Sequence, residues 1–201
     1  MDTAYAEELL RRQASLQAEA ERVLAALDLV AMLASAGTVA FNGSYVTGLM
    51  VWRDLDLSVM APGLTSRSAY ETMLPLLTHP DVTLVRYRNE AGGHNATGRL
   101  EDDRYFFANY YLEAGQEWKI DISFWVSRQP HAELLPPELI TQRLTDETRL
   151  AILWLKDIWH RLPVYMTQIG SVDIYNAVLD YGVRTPEAFE AYLREHNQLS
   201  M

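Results

Sequence analysis

Phe41-Asn42-Gly43-Ser44-Tyr45-Val46-Thr47-Gly48, followed after five residues by Asp54-Leu55-Asp56-Leu57-Ser58-Val59, is the stretch on which the reading of this chain turns. In the second segment polar and apolar residues alternate strictly. A strand therefore places Asp54, Asp56 and Ser58 on one face and Leu55, Leu57 and Val59 on the other. Carboxylates at i and i+2 on one strand face repel each other, and a hard divalent cation with oxygen ligands offsets that repulsion, Mg²⁺ best of all. Lys119-Ile120-Asp121-Ile122-Ser123-Phe124-Trp125 alternates likewise, with Lys119, Asp121 and Ser123 opposite Ile120, Ile122 and Phe124. A third carboxylate can thus join the polar face, and three acids can bracket two metal ions. Gly43 lets the backbone approach a phosphate where a Cβ would clash, and Ser44 offers an amide and a hydroxyl donor. Taken singly, Gly43-Ser44 is an ordinary turn and the paired acids a solvated strand face; Asp121 favours the chemical reading.

Together these residues resemble the motif of the DNA polymerase beta-type nucleotidyltransferase superfamily, in particular its small, antibiotic-nucleotidyltransferase-like bacterial members. That motif is an apolar strand, Gly-Ser-x-x-x-Gly, an Asp-x-Asp strand and a third acid on a later strand, and here it covers residues 38 to 126. The resemblance implies an α/β (α+β) fold, a mixed twisted sheet with flanking helices followed by a C-terminal helical bundle. It implies that Gly43 and Ser44 contact nucleotide phosphates, that Asp54 and Asp56 ligate Mg²⁺, and that Asp121 ligates metal or acts as general base beside the attacking hydroxyl. A basic residue from the helical lobe commonly reaches the triphosphate in such proteins, and Lys156, one of two lysines in the chain, takes that place. Lys119 does the phosphate work instead, or holds Asp121 ionised. The chain departs from the pattern at Leu49-Met50-Val51-Trp52-Arg53, where a polar stretch is usual. This apolar run is either a core anchor or a contact for an apolar acceptor or a partner subunit, and a homodimer is compatible with it. Arg53 can pair with an acid and temper metal affinity.

Composition narrows the classes. The chain has 201 residues, 49% of them hydrophobic, enough for one catalytic domain and a helical appendage. A net charge of −10 and a pI near 4.9 oppose a broad polyanion-binding surface, so a nucleic-acid partner is disfavoured and a cationic small-molecule acceptor is the better expectation. There are no cysteines, which excludes disulfides and thiolate metal sites and agrees with a cytoplasmic setting. No run reaches membrane-spanning length, and the start Met1-Asp2-Thr3 lacks the features of a secretory signal. The five histidines show no metal-ligand spacing, and neither a Gly-x-Ser-x-Gly elbow nor a dinucleotide fingerprint is present.

Along the chain, residues 4 to 35 read as one helix with Leu16, Ala20, Val23, Leu27 and Val30 on a stripe and Gly37 as its stop. Strands follow at 38–41, 54–60, 81–88, 105–112 and 117–126, with a helix at 66–78 and a hairpin turn at Glu113-Ala114-Gly115-Gln116. The Gly-rich loop with His94 and Thr97-Gly98-Arg99 reads as a solvent loop. Pro130, Pro136 and Pro137 mark a linker, dividing residues 1–136, a nucleotidyltransferase domain, from residues 137–201, a helical domain. Three helices are expected there: one capped by Thr145 and running to Leu162, one capped by Ser171 and ending before Gly182, and one opened by Thr185-Pro186-Glu187. On the first of them Arg149, Lys156 and His160 share a stripe, either reaching a phosphate or lying as a solvated edge.

The expected function is nucleotidyl transfer from a nucleoside triphosphate, ATP by expectation, to a hydroxyl of a small molecule such as an aminoglycoside-like or lincosamide-like antibiotic, by a two-metal mechanism. The competing expectation is a non-catalytic or regulatory member that binds nucleotide or a partner protein, such as the nucleotidyltransferase half of a toxin-antitoxin pair. Protein modification by nucleotide transfer would use the same site.

Overall fold

The computed structural model describes residues 1–96, 98–127, 136–165 and 167–196, with the side chain of Glu101 left aside. Thr97 and Pro130 lie outside them. In order, the elements are α1 (Thr3–Ala26), α2 (Leu29–Ala34), β1 (Thr38–Asn42), α3 (Gly43–Thr47), β2 (Asp54–Met60), α4 (Ser66–Leu77), β3 (Val82–Glu90), a 3-10 turn (Leu100–Asp102), β4 (Arg104–Glu113), β5 (Gln116–Trp125), α5 (Pro137–Arg143), α6 (Asp146–Trp159), α7 (Ser171–Asp180) and α8 (Pro186–Glu195). They form a mixed α+β fold. Among the described residues no helix is long and apolar enough to cross a membrane.

The chain divides into two compact units. One comprises Met1–Leu16, Thr47–Val51 and Pro137–Met201, the other Gln17–Val46 and Trp52–Pro136. The second holds a five-stranded sheet in the order β1-β2-β5-β4-β3, in which β2 and β5 run parallel and every other pair antiparallel. The period-2 alternation decides which face is which. Leu55, Leu57 and Val59 on β2, Ile120, Ile122 and Phe124 on β5 and Phe107 on β4 are at most 2% exposed and line one face. There α4 covers them, with Tyr70 set 5.3 Å edge-on to Phe107 and 4.7 Å from Tyr87. Each such side chain contributes on the order of 1.5–3 kcal/mol by leaving water, so a one-residue register slip, which would turn all of them outward, is strongly opposed.

Four local expectations change. The single helix expected over 4 to 35 is broken at Asp28, whose φ of 46° is left-handed, and the stripe changes phase: Val30 is 45% exposed, while Leu29 and Leu33 are buried. Among the described residues the region from 137 onward holds four helices rather than three, because Pro137 opens the short α5. Thr145 caps α6 as expected, its Oγ1 accepting from Thr148 N at 3.2 Å, but α6 ends at Trp159, ahead of Leu162. Ser171 is the first residue of α7 rather than its cap, since Gly170 precedes it and donates to Asp173 Oδ2 at 2.7 Å. Thr185 caps α8, with Pro186 at its first position.

The unit that contains α6 is built around charges that touch backbone. Arg149 donates to the carbonyls of Thr47 and Gly48, at 3.4 and 2.9 Å, and Lys156 Nζ donates to Leu49 O at 2.8 Å and to the hydroxyl of Tyr175 at 3.4 Å. Leu49, Met50 and Val51 are buried. Leu49, Met50 and Val51 of the apolar run are therefore a core anchor, while Trp52 is half-buried. Beside Lys156 the buried Asp157 accepts from Tyr5 at 2.5 Å, from Arg12 and from Arg161 at 2.7 Å. Burial opposes ionisation of Asp157, but the Tyr5 hydroxyl and the two guanidiniums outweigh it and hold the carboxyl below its ordinary range.

Candidate active site

The second face of the sheet carries the acids. Parallel pairing of β2 with β5 sets Asp54 opposite Lys119, Asp56 opposite Asp121 and Ser58 opposite Ser123. Neighbouring strands lie about 4.8 Å apart, so three carboxylates and one ammonium share a small area. Lys119 Nζ stands between two of the acids, 2.5 Å from Asp121 Oδ2 and 3.4 Å from Asp54 Oδ1. Burial alone would push the lysine toward its neutral form, but Asp54, Asp121 and Asp56 reverse that and raise its pKa above the ordinary value. Asp121 is shifted upward, first by burial and then by the nearby Asp54, and the Lys119 ammonium only partly offsets this.

Gly43 closes the cluster from the side of β1. Its φ of 65° is left-handed, and a Cβ built there would run into Asp56 Oδ2. Ser44, next to it in α3, is half-buried. Asn42, opposite Asp56, donates to Ser58 Oγ at 2.6 Å, and Trp125 Nε1 donates to the same oxygen at 3.0 Å, which fixes the floor next to the acids. Arg53 donates to Glu19 at 2.8 Å, so its partner is on α1 and not among the three acids.

Of the residues singled out from sequence, Asp54, Asp56, Asp121, Lys119 and Gly43 come together in one unit, with Ser44 adjacent. Lys156 belongs to the other unit, is fully buried and is neither a solvated edge nor a free cation: its ammonium is engaged by a backbone carbonyl and a tyrosine hydroxyl. Arg104 was not singled out, yet it reaches the same face from β4, donating to Ser123 Oγ at 3.2 Å, and its charge bears on Asp121. The signal lay in the alternation of β4, where Arg104, Phe106, Ala108 and Tyr110 fall on one side.

These residues fit a hard divalent cation in donor chemistry and charge. Three carboxylates against one ammonium leave a local excess of two negative charges, and the buried Oδ1 of Asp121 has no hydrogen-bond partner. They are not a ready-made cage: among the described residues no three Asp, Glu, His or Cys side chains are gathered as a metal site. Lys119 holds the oxygens that a cation would use, so the two compete for Asp54 and Asp121.

Neither a protein-family model nor a curated protein matches the sequence. In fold the chain is similar to a chain of the solved poly(A) polymerase complex GLD-2 with GLD-3, at a TM-score of 0.51 and 12% identity, over 100% of this chain and 67% of that one. At that identity the likeness is one of fold, the nucleotidyltransferase type.

Proposed function

We propose that the protein transfers a nucleoside monophosphate from a triphosphate, ATP by expectation, to a hydroxyl of a small acceptor. Asp54, Asp56 and Asp121 would hold Mg²⁺, which supplies charge neutralisation along the triphosphate and lowers the pKa of the attacking hydroxyl. Gly43 and Ser44 would meet the phosphates, the glycine by close backbone approach and the serine by amide and hydroxyl donors. The acceptor oxygen bonds to the α-phosphorus while the bond from that phosphorus to the bridging oxygen breaks and pyrophosphate leaves. The hydroxyl proton passes to the Asp121 carboxylate. Lys119 keeps the cluster from repelling itself before substrate arrives and turns its ammonium to phosphate afterwards. Lys156 is left out of this set, because its burial points to a structural role.

The observation that carries the reading is the shared row of Asp56 and Asp121, with Asp54 one pleat along and a buried Asp121 oxygen that has no hydrogen-bond partner. Pyrophosphate release, followed with Mg²⁺ and each triphosphate across a panel of hydroxylated acceptors, tests it. Asp56→Asn is expected to reduce release by at least about 100-fold. Release that survives in Asp56→Asn sinks the proposal. The regulatory alternative, which looks to the apolar run Leu49–Trp52, draws no support from Leu49, Met50 and Val51, which are buried rather than offered to a partner.

A further inference from the structure

The face that carries the acids continues over β4 onto β3, and there its charge changes sign. Across from Asp121 stands Ala108, and across from Ala108 stands Arg86. Phe106 and Tyr110 flank Ala108 on the same face of β4, and each ring lies under a guanidinium. Arg86 is 5.6 Å from the centroid of Tyr110, Arg88 is 4.7 Å from that of Phe106, and Arg104 is 5.1 Å from Phe106 and 5.0 Å from Trp125. Arg88 and Arg104 share Glu90, at 3.3 and 2.6 Å. Arg86 has no carboxylate partner among the described residues, and Arg86 and Arg88 are both exposed. Three guanidiniums against one carboxylate make this strip locally cationic by two charges, in a chain whose net charge is −10.

We infer that this arginine–aromatic strip is the acceptor subsite, and that the acceptor is a free, nucleotide-like molecule with a planar ring, an anionic group and a hydroxyl. The inference rests on the nucleotidyl-transfer reading of the adjoining acids. A guanidinium held over a ring leaves its outer side open to a further planar group, and stacking of bases on such surfaces is tolerant of base identity. The uncommitted fork of Arg86 accepts a phosphate or carboxylate in two-point fashion. From β3 to β5 is two strand spacings, about 10 Å, so a molecule anchored at Arg86 reaches Asp121 with its hydroxyl if it has the size of one nucleotide. A cationic acceptor would meet like charge here. A long polyanion gains from the strip but is opposed by the acidic remainder of the surface.

Calorimetric titration of the full chain with a nucleoside monophosphate, in EDTA and without triphosphate, tests the subsite apart from metal and turnover. Binding is expected to weaken about tenfold in Arg86→Gln and in Arg88→Gln, each losing one charge-assisted contact, and to persist in Gly43→Ala, which disturbs the triphosphate side. A monophosphate that does not bind, that binds Arg86→Gln as well as the unaltered protein, or that is lost in Gly43→Ala instead overturns the inference. So does tighter binding of a ten-nucleotide single strand or of an aminoglycoside. Pyrophosphate release that continues with a cationic acceptor refutes the subsite and leaves nucleotidyl transfer standing. Monophosphate binding that depends on Arg86, in a protein releasing no pyrophosphate with any acceptor, supports the subsite as a binding site and removes the enzymatic reading.

Discussion

At the scale of single residues, the tightest constraint is Gly43. Its left-handed backbone and the closeness of Asp56 Oδ2 mean that a methyl group meets two separate penalties. The backbone strain of Gly43→Ala is on the order of 1 kcal/mol, but relief of the clash moves Asp56. The expected signature is a modest loss of thermal stability with a loss of triphosphate binding of about 100-fold, read by melting and calorimetry on the same sample. Asp157 gives the complementary case, a charge that matters to stability and not to the acids. Its carboxyl is held low by Tyr5, Arg12 and Arg161 against burial, so its contribution is full above the ordinary carboxylate range and disappears as pH falls through that range to the lower folded value. Asp157→Asn is expected to lose about 2 kcal/mol at neutral pH. The difference from the unaltered protein should then shrink below about pH 4, as denaturant melts at a series of pH values will show. A gap that stays constant down to pH 2 contradicts this account.

At the scale of elements, pleat and turn chemistry are the most readable features. The β4–β5 hairpin closes over Ala114 and Gly115, at φ of 49° and 75°, so both loop residues are left-handed and the turn matches the strand twist. Alanine is the strained member. Ala114→Asn is expected to stabilise by about 0.5 kcal/mol, raising the melting temperature by about 1–2 °C, and a lowered melting temperature argues against this turn. The strands of this sheet were legible because Asp54 to Val59 and Lys119 to Phe124 alternate polar and apolar residues, and one period fixes both the core face and the acid face. The break at Asp28 was not legible, since the residues on each side of it keep an apolar spacing compatible with a continuous helix. Nor was the role of the stripe on α6. Spacing of four and seven says that Arg149, Lys156 and His160 face the same way, but not that the first two meet the carbonyls of residues 47–49 and that His160, just past the end of α6, has its Nδ1 2.8 Å from Lys156 O. Those partners of Arg149 and Lys156 are about a hundred residues distant in sequence, and no periodicity encodes them.

At the scale of the whole molecule, the division of the chain follows contacts rather than sequence order. Proline residues suggest a cut near 137, yet Met1–Leu16 and Thr47–Val51 belong to the same compact unit as Pro137–Met201. Leu9, Leu16, Leu49, Met50 and Val51 are at most 6% exposed, and Asp157 and Lys156 hold Tyr5, Arg12 and the carbonyl of Leu49. A chain ended at residue 136 keeps those leucines but loses the helices of their unit, and it keeps Arg12 without its carboxylate. Exposing several fully buried apolar side chains forfeits on the order of 1.5–3 kcal/mol each, and that sum rivals the 5–15 kcal/mol by which a domain is stable at all. The fragment 1–136 is therefore expected to bind a hydrophobic dye and to leave the amides of residues 3–16 unprotected. A fragment 17–136 that carries Ser residues at 49, 50 and 51 should retain the sheet, because those positions and the first sixteen are the parts that belong elsewhere. Circular dichroism and amide exchange on the two fragments decide the matter. A cooperative melt of 1–136 with protected amides in residues 3–16 would mean that α1 is held by the sheet's own unit and that the division drawn from contacts is wrong.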